Sequence, residues 1–230
     1  MKKIGLIGGA GPMAGALLFE FIILECQKQF GCKDDKDFPY ITLESYPFSP
    51  MILIESSQKN RNMIANEVQQ AIDTLKYCES EIIGIACNTL HTFLTEINFK
   101  DMLFVNMICE TIAYVRQQKL KSLLVLGTPT TVESKIYEQD QVEIFYPSPN
   151  DQEKITKIIE RILEGNINKR DAKIIKSIIC KNSNTCINVV LGCTELSLLN
   201  NFFEIAYNVI DPLKILAKKI VEKSFKKERN

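Results

Sequence analysis

The sequence predicts an α/β protein with two pseudo-symmetric lobes, each a mostly parallel sheet flanked by helices, and a functional site in the cleft between them. The first observation behind this prediction is that segments with strand character alternate with segments of helical periodicity. The second is that the strands are apolar throughout, as strands are when helices cover both faces of a parallel sheet. The third is that the loops of the first half have counterparts in the second half.

The first half begins with a strand that ends in a cluster of glycines. Gly8, Gly9 and Gly11, followed by Pro12, break the apolar run. This segment therefore predicts a strand and a turn, and not a secretory signal. The predicted elements are a strand from Lys3 to Ile7, a helix from Met13 to about Gln29, a strand from Tyr40 to Tyr46, a helix from Asn62 to Cys78 and a strand from Glu81 to Ala86.

The same alternation then starts again. The predicted elements are strands at Leu103 to Met107, Ser122 to Leu126, Val142 to Tyr146 and Cys186 to Leu191, and helices at Cys109 to Gln118, Val132 to Glu138, Asp151 to Glu164, Lys169 to Cys180 and Pro212 to Phe225. We therefore expect a first lobe of residues 1–101 plus about 206–230 and a second lobe of about 102–205.

Two pairs of segments show the repeat most clearly. KIGLIGGAGPMAG in the first half matches SLLVLGTPTTVES, and EIIGIACNTLH matches CINVVLGCTELS. Each half thus has a glycine-bearing loop after one strand and a cysteine after a later strand. Ligands of open α/β sheets bind beyond the carboxyl ends of the strands, so all four loops should line one cleft.

Composition excludes several classes of function. Lys plus Arg and Asp plus Glu both number 28, so the net charge is zero, and this argues against a nucleic-acid-binding surface. No apolar run approaches the roughly 18 residues that a membrane-spanning helix needs. We expect a cytoplasmic protein without a membrane or nucleic-acid partner.

The cysteines point to reduced thiols. Eight cysteines without a predicted secretory signal should be mostly free in a reducing compartment. Two pairs stand six positions apart, but zinc sites usually have closer pairs and histidine ligands, and this chain has a single histidine. We therefore expect neither a metal site nor a cofactor.

In the order of its motifs, the chain resembles the aspartate/glutamate racemase family. The motifs are GLIGGAGP near the start, ACNTLH around Cys87, LGTPTTVES from Leu126 to Ser134 and LGCTELS around Cys193. Each motif alone is a weak signal, but two cysteine motifs and two glycine loops in this order are specific, and they span nearly the whole chain. The resemblance implies an isomerase that acts on a small amino acid without pyridoxal phosphate, and a homodimer.

The resemblance assigns the chemistry to Cys87 and Cys193. Inverting an α-carbon requires removing a proton from one face and delivering a proton to the other. In the two-base scheme that the family uses, one cysteine enters as thiolate and the other as thiol. An ordinary thiol is mostly protonated at neutral pH, so helix-start N–H groups or the substrate ammonium must help to form the thiolate.

Further residues are implied around the substrate. The developing enediolate needs hydrogen-bond donors that are already in place. Glu195 would orient the cleft or accept from the substrate ammonium, although capping a helix start would equally explain a carboxylate there. The substrate-binding residues that the resemblance implies are Asn88, Thr89, Thr194, Thr128, Thr131, Gly9 and Ala10, with Glu195 and Pro50 in supporting positions.

The expected clamp for an acidic side chain is altered. Family members that act on aspartate or glutamate carry an arginine in a Pro-Asp-Arg-like segment, where this chain has Ile52. A lysine used similarly by some relatives falls at or beside Glu153 and Lys154. Aspartate and glutamate are therefore expected as substrates only if Lys154, Arg61 or another cation reaches the cleft. Phe48 and Ile52 suit a less polar side chain, and Glu153 would favour a cationic one.

Two other classes of function compete with a racemase. Gly9, Gly11 and Ala14 match the dinucleotide fingerprint after a strand, but Pro12 interrupts the expected amides, and Glu44 of the next strand lies farther on than the expected acid. A catalytically silent amino-acid sensor with the same fold is the other alternative, against which the retention of both thiols argues. His91, the single histidine, is expected to be a structural partner.

Overall fold

The computed structural model describes residues 1–49, 58–94, 97–182, 188–202 and 207–226. Its strands are β1 Ile4–Gly8, β2 Ile41–Ser45, β3 Ile82–Ile85, β4 Leu103–Val105, β5 Ser122–Gly127, β6 Glu143–Phe145, β7 Asn188–Gly192 and β8 Asn208–Ile210. Its α-helices are α1 Pro12–Phe30, α2 Gln58–Tyr77, α3 Met107–Gln117, α4 Pro129–Glu133, α5 Pro149–Leu163, α6 Lys169–Asn182 and α7 Pro212–Phe225. Short 3-10 helices cover Asp35–Asp37, Thr89–Phe93 and Thr194–Phe202.

The described strands form two parallel sheets with the same topology. The first has the order β2-β1-β3-β4, and the second has the order β6-β5-β7-β8. Every pairing is parallel. The predicted two-lobe α/β architecture is therefore confirmed, and each strand of the first sheet has an equivalent four strands later.

Helices cover both faces of each sheet, which explains the unbroken apolar strands. In β1, Ile4 and Leu6 pack with α1 and α7 on one face, whereas Ile7 packs with α2 on the other. In β5, Leu124 and Leu126 face α5 and α6, whereas Leu123 and Val125 face α3. All of these side chains are fully or almost fully buried.

The last helix of each lobe packs on the sheet of the other lobe. Helix α7 follows β8 of the second sheet, yet Leu213, Leu216 and Ile220 lie in the core cluster of the first sheet. Its fit is close, since a Cβ atom at Gly84 of β3 would lie 2.6 Å from the Cδ1 atom of Ile220. Helix α3 follows β4 of the first sheet, and its Val115 lies in a cluster with Val125 and Val190 of the second sheet. This exchange fixes the two lobes against each other.

Sheet membership differs from the predicted lobe boundaries at two short strands. The prediction placed Leu103–Val105 in the second lobe, but β4 pairs with β3 in the first sheet. It also placed residues from about 206 in the first lobe, whereas β8, which was not predicted as a strand, pairs with β7 in the second. Both are edge strands of three residues that run almost directly into the exchanged helices. The sequence therefore shows no break at the point where the chain changes lobes.

Candidate active site

The two predicted catalytic cysteines lie at equivalent positions in the two lobes. Cys87 follows β3 and Cys193 follows β7. Cys193 directly precedes the 3-10 helix Thr194–Phe202, and Cys87 is separated by Asn88 from the 3-10 helix Thr89–Phe93. Both are buried, with 8% and 4% of their surface exposed. The lobes touch here, because the Thr194 hydroxyl donates to the carbonyl oxygen of Ala86 at 3.4 Å. The carboxyl ends of the two central strands therefore meet at one place.

The carboxylate of Glu195 lies between the cysteine motifs. The Cys193 thiol donates to Oε2 of Glu195 at 2.9 Å, and the Thr194 hydroxyl oxygen lies 3.3 Å from the same atom. The other oxygen lies against Gly11 of the first lobe, where a Cβ atom would come within 1.7 Å of it. Burial raises the pKa of the Glu195 carboxyl, and its contacts with Cys193 and Thr194 oppose that rise.

Both thiols are strongly biased toward their protonated form. Burial, and then the charge of Glu195, raises the pKa of Cys87 to about 12. Three contacts act in the opposite sense on that pKa, namely the backbone N–H groups of Leu90 and Thr89 and the Thr89 hydroxyl. Burial and then Glu195 also raise the pKa of Cys193 well above its ordinary value, and the nearby Cys87 adds to that rise.

Three threonine hydroxyls form a buried cluster across the lobe boundary. Thr89 Oγ1 of the first lobe lies 3.0 Å from Thr128 Oγ1 and 3.2 Å from Thr131 Oγ1 of the second lobe. The Thr128 hydroxyl also donates to Thr131 at 3.1 Å, and it caps α4 by accepting from the Thr131 backbone N–H. The cap places α4 a few residues earlier than the predicted helix start at Val132, because Pro129 suits the first helical position.

Asn88 is held by a residue that the sequence did not single out. Tyr137 lies in the second lobe, and its hydroxyl donates to Asn88 Oδ1. The Nδ2 group of Asn88 is buried and has no hydrogen-bond partner among the described residues. Nothing in the local sequence around Tyr137 marks this contact, since 49 positions separate the two residues.

The first glycine loop closes one side of the site. Gly9 has a φ of 92°, and a Cβ atom there would lie 1.9 Å from the carbonyl oxygen of Tyr46, so the residue type is required by space and by conformation. Ala10 packs against the apolar cluster that contains Cys87. The Glu195 carboxylate occupies the space beside Gly11. The alternative hypothesis of a dinucleotide-binding protein would place a phosphate there, next to this negative charge.

His91 forms a hydrogen bond with the backbone at Cys87. Its Nδ1 atom lies 2.7 Å from the carbonyl oxygen of Cys87, so the neutral ring donates its Nδ1–H to that oxygen. Burial lowers the pKa of His91 to about 4, which keeps the ring neutral at physiological pH. Its ring also stacks on Phe104 of β4 with centroids 5.9 Å apart. These contacts agree with the predicted structural role.

The two cations considered for a distal clamp have partners elsewhere. Lys154 pairs with Asp151 at 2.9 Å, and Arg61 donates to the Thr92 carbonyl oxygen at 3.3 Å and lies over the ring of Phe93. Phe48 is half-buried against the cluster that contains Cys87, as an apolar wall would be. Pro50 and Ile52 lie outside the described residues.

Three further observations concern the described part of the chain only. It contains no group of three or more His, Cys, Asp and Glu side chains that could hold a metal ion. None of its helices is both long enough and apolar enough to cross a membrane. Cys26, Cys32, Cys78, Cys87, Cys109 and Cys193 are free thiols, and Cys186 falls outside the described ranges.

Comparison with known proteins gives consistent matches over nearly the whole chain. The family model described as Asp/Glu/Hydantoin racemase matches residues 7–220. The broad specificity amino-acid racemase RacX of Bacillus subtilis (strain 168) is 24% identical over 225 residues, which cover 95% of this chain and 96% of that protein.

Solved structures show the same fold. The aspartate racemase of Picrophilus torridus has a TM-score of 0.82 at 26% identity, covering 98% of this chain and 95% of that chain. The glutamate racemase of Francisella tularensis subsp. tularensis SCHU S4, in complex with D-glutamate, has a TM-score of 0.65 at 19% identity, covering 97% and 81% of the two chains. The second likeness concerns the fold alone.

Proposed function

Because the chain belongs to the Asp/Glu/Hydantoin racemase family, we propose that it is a cofactor-independent amino-acid racemase in which Cys87 and Cys193 act on opposite faces of the α-carbon. One observation carries the proposal. Two buried thiols follow equivalent strands of the two lobes, and the charge of a single carboxylate, Glu195, acts on both. That arrangement suits a reaction that needs two proton carriers around one carbon.

The surroundings of the two thiols oppose the thiolate form to different degrees. The Cys193 thiol donates a hydrogen bond to the Glu195 carboxylate, and this hydrogen bond is lost when the thiol becomes a thiolate. Cys87 faces the backbone N–H groups of Leu90 and Thr89, which favour its thiolate. We therefore propose that one enantiomer is received by Cys87 as thiolate and Cys193 as thiol. Cys87 takes the α-proton and Cys193 delivers its own to the other face, and the exchanged states that result receive the opposite enantiomer.

The substrate itself is expected to complete the activation. Without a ligand, burial and the Glu195 charge keep both thiols protonated at neutral pH. A substrate ammonium beside Glu195 would offset that negative charge and lower both thiol pKa values. Thiolate formation is thereby coupled to binding, and a reactive thiolate is rare in the free enzyme.

The remaining polar groups suit the α-carboxylate. The hydroxyls of Thr89, Thr128 and Thr131 meet at the lobe boundary, and the unpartnered Nδ2 donor of Asn88 belongs to the residue directly before Thr89. As negative charge develops on the enediolate, donors held in a dry site stabilise the transition state more than the ground state. We assign these residues to carboxylate binding, with Gly9 and Ala10 shaping the adjacent wall.

We further propose that the substrates extend beyond aspartate and glutamate. An unpaired carboxylate in a closed cleft is unfavourable by several kcal/mol. Lys154 pairs with Asp151 and Arg61 donates to the Thr92 carbonyl oxygen, so a distal carboxylate would have to compete with these contacts for either cation. The similarity to a relative described as a broad specificity racemase points the same way.

Single enantiomers of neutral, basic and acidic amino acids, each incubated with the protein in D2O, test both parts of the proposal. Proton NMR follows the loss of the α-proton signal, and chiral chromatography follows inversion. We expect exchange with inversion for at least one neutral amino acid at a rate comparable to or above that of aspartate. If aspartate exchanges far faster than every neutral or basic amino acid, the substrate range is wrong. If none exchanges, the racemase proposal is wrong.

The alternative sensor function makes a different prediction in the same samples. A silent amino-acid sensor would bind one amino acid, as measured by calorimetry, without exchanging its α-proton. A cytoplasmic location and a homodimer stay predictions, which rest on the reduced cysteines and on the resemblance to the family.

A further inference from the structure

The contact between Tyr137 and Asn88 joins the two lobes inside the proposed site. Tyr137 follows α4 of the second lobe and is only 1% exposed, and its hydroxyl donates to Oδ1 of Asn88 in the first lobe. Its ring packs among apolar residues of α3, β5 and β7, such as Val115, Val125 and Val190. The hydroxyl is therefore held at a fixed position by a rigid surrounding.

Only one end of the Asn88 side-chain amide has a hydrogen-bond partner among the described residues. An asparagine side chain offers an acceptor oxygen and an NH2 donor, and the two ends exchange places when the amide rotates by half a turn. Tyr137 occupies the oxygen, whereas the Nδ2 group is buried without a partner among the described residues. A buried donor left unpaired is unfavourable. This one belongs to the residue directly after Cys87, so a ligand at the proposed site could supply its acceptor.

From this geometry we propose that Tyr137 is a positioning residue that fixes the Asn88 amide with its NH2 group toward the substrate carboxylate. The inference rests on the proposed function and adds a residue to it. With the tyrosine hydroxyl removed, the amide can turn its oxygen toward the carboxylate, which replaces an attractive contact by a repulsive one. Tyr137 itself touches no reacting atom.

A tyrosine is suited to this task because its hydroxyl stays protonated. Burial raises the pKa of Tyr137 well above its ordinary value, and Asp211 adds to the rise. The hydroxyl is therefore a donor throughout the pH range in which a racemase with thiol bases would work. In the orientation shown, the hydroxyl donates to Oδ1 of Asn88, which leaves the NH2 group for an acceptor in the cleft.

The test replaces Tyr137 by Phe, which keeps the ring and removes the donor. We expect kcat to fall about tenfold with a smaller change in KM, because the donor on Asn88 matters most when charge develops on the carboxylate. Tyr146→Phe is the matched control, since the Tyr146 hydroxyl is also buried but has no partner among the described residues. It should leave kcat and the thermal midpoint unchanged.

A double-mutant cycle separates positioning from a merely structural tie between the lobes. If Tyr137 acts through Asn88, then Asn88→Ala should lower kcat and Tyr137→Phe should lower it no further in that background. Two losses that multiply would overturn the proposal. An unchanged kcat in Tyr137→Phe would overturn it as well.

A readout that does not need catalysis keeps this inference distinct from the proposed function. In protein labelled with ¹⁵N-asparagine, the Asn88 side-chain NH2 resonances, identified by their loss in Asn88→Ala, should shift or broaden in Tyr137→Phe and not in Tyr146→Phe. Resonances that are identical in Tyr137→Phe and wild type would overturn the assignment. If the wild-type protein racemises nothing, the proposed function fails while this spectrum still decides the role of Tyr137.

Discussion

At the scale of single residues, Glu195 links the two halves of the site. Its carboxylate accepts from the Cys193 thiol, lies against Gly11 of the other lobe, and raises the pKa of both thiols. A buried carboxylate with these neighbours can hold the site in a protonated resting state until a cationic group arrives. The rise in the thiol pKa values comes from the charge of Glu195 and not from its shape. Replacing Glu195 by glutamine, which has nearly the same shape and no charge, therefore isolates the effect.

Glu195→Gln should therefore make both thiols more acidic. Removing the negative charge removes a cause of the raised pKa of Cys87 and of Cys193, so thiolate should form at lower pH than in wild type. The pH dependence of alkylation by iodoacetamide, with each cysteine followed by mass spectrometry, measures the shift. Glu153→Gln, at an exposed position, is the control. A midpoint that stays in place or rises in Glu195→Gln would contradict the assignment.

The residues that we propose to carry the chemistry differ in how well a sequence reveals them. Cys87, Asn88 and Thr89, and likewise Cys193 to Glu195, are contiguous, so their motifs show them as groups. Tyr137 gives no such signal, because its importance comes from a contact with Asn88 across the lobe boundary. The three-threonine cluster was predicted residue by residue from the family resemblance, but its mutual hydrogen bonds could not be, since they depend on how the lobes dock.

At the scale of elements, the start of α5 is tied to α6 by one buried carboxylate. Asp151 is 6% exposed and accepts from Lys154 of its own helix and from Lys181 of α6, each at 2.9 Å. Hydrogen bonds from Lys154 and then Lys181 lower the pKa of Asp151 to about 2. The ionised form is thus favoured in the folded state.

Asp151→Asn should lower the free energy of unfolding by about 1 kcal/mol at pH 7, a modest figure because both lysines are partly exposed and screened. A lowered carboxyl pKa stabilises the fold above the ordinary value of 3.8, and that contribution is lost as the pH falls toward 2. Urea unfolding from pH 7 to pH 2.5 measures it, with Asp140→Asn, at an exposed position, as the control. A stability difference that persists undiminished at pH 2.5 would count against the ion pairs.

The types of the long helices and strands were well predicted, whereas the short strands next to the exchanged helices, and the sheets to which they belong, were not. Apolar strands such as Ser122–Gly127 and the amphipathic helix Pro149–Leu163 carry strong periodic patterns. The three-residue strand Asn208–Ile210 is too short to show one. Its sheet is decided by pairing with β7, which is a tertiary contact that local pattern does not encode.

At the scale of the whole molecule, the exchange of α3 and α7 makes each lobe depend on the other. Helix α7 completes the core of the first sheet, and α3 completes that of the second. Neither lobe buries both faces of its sheet with its own contiguous segment. The cleft geometry is thereby built into the fold, because the lobes cannot separate without exposing their cores.

Leu216→Ala should consequently weaken both sheets together. The substitution removes a fully buried side chain of α7, at a cost of about 2–5 kcal/mol. Hydrogen exchange at increasing urea concentration, followed by mass spectrometry, should show β1 and β5 losing protection at the same lowered midpoint. Leu163→Ala, at an exposed site, should change little. Loss of protection confined to the first sheet would show that the lobes unfold independently.

The most direct test of the whole proposal is α-proton exchange in D2O by the single-cysteine variants Cys87→Ser and Cys193→Ser, with Cys109→Ser, at an exposed thiol, as the control. Each enantiomer of the best substrate is followed by proton NMR and chiral chromatography. If the two thiols serve opposite faces, both variants lose racemisation by orders of magnitude, and any exchange that remains is limited to one enantiomer, opposite in the two variants, without inversion. Racemisation at a near wild-type rate by either variant would show that the cysteine replaced in that variant is not needed for inversion, and this would contradict the two-base proposal.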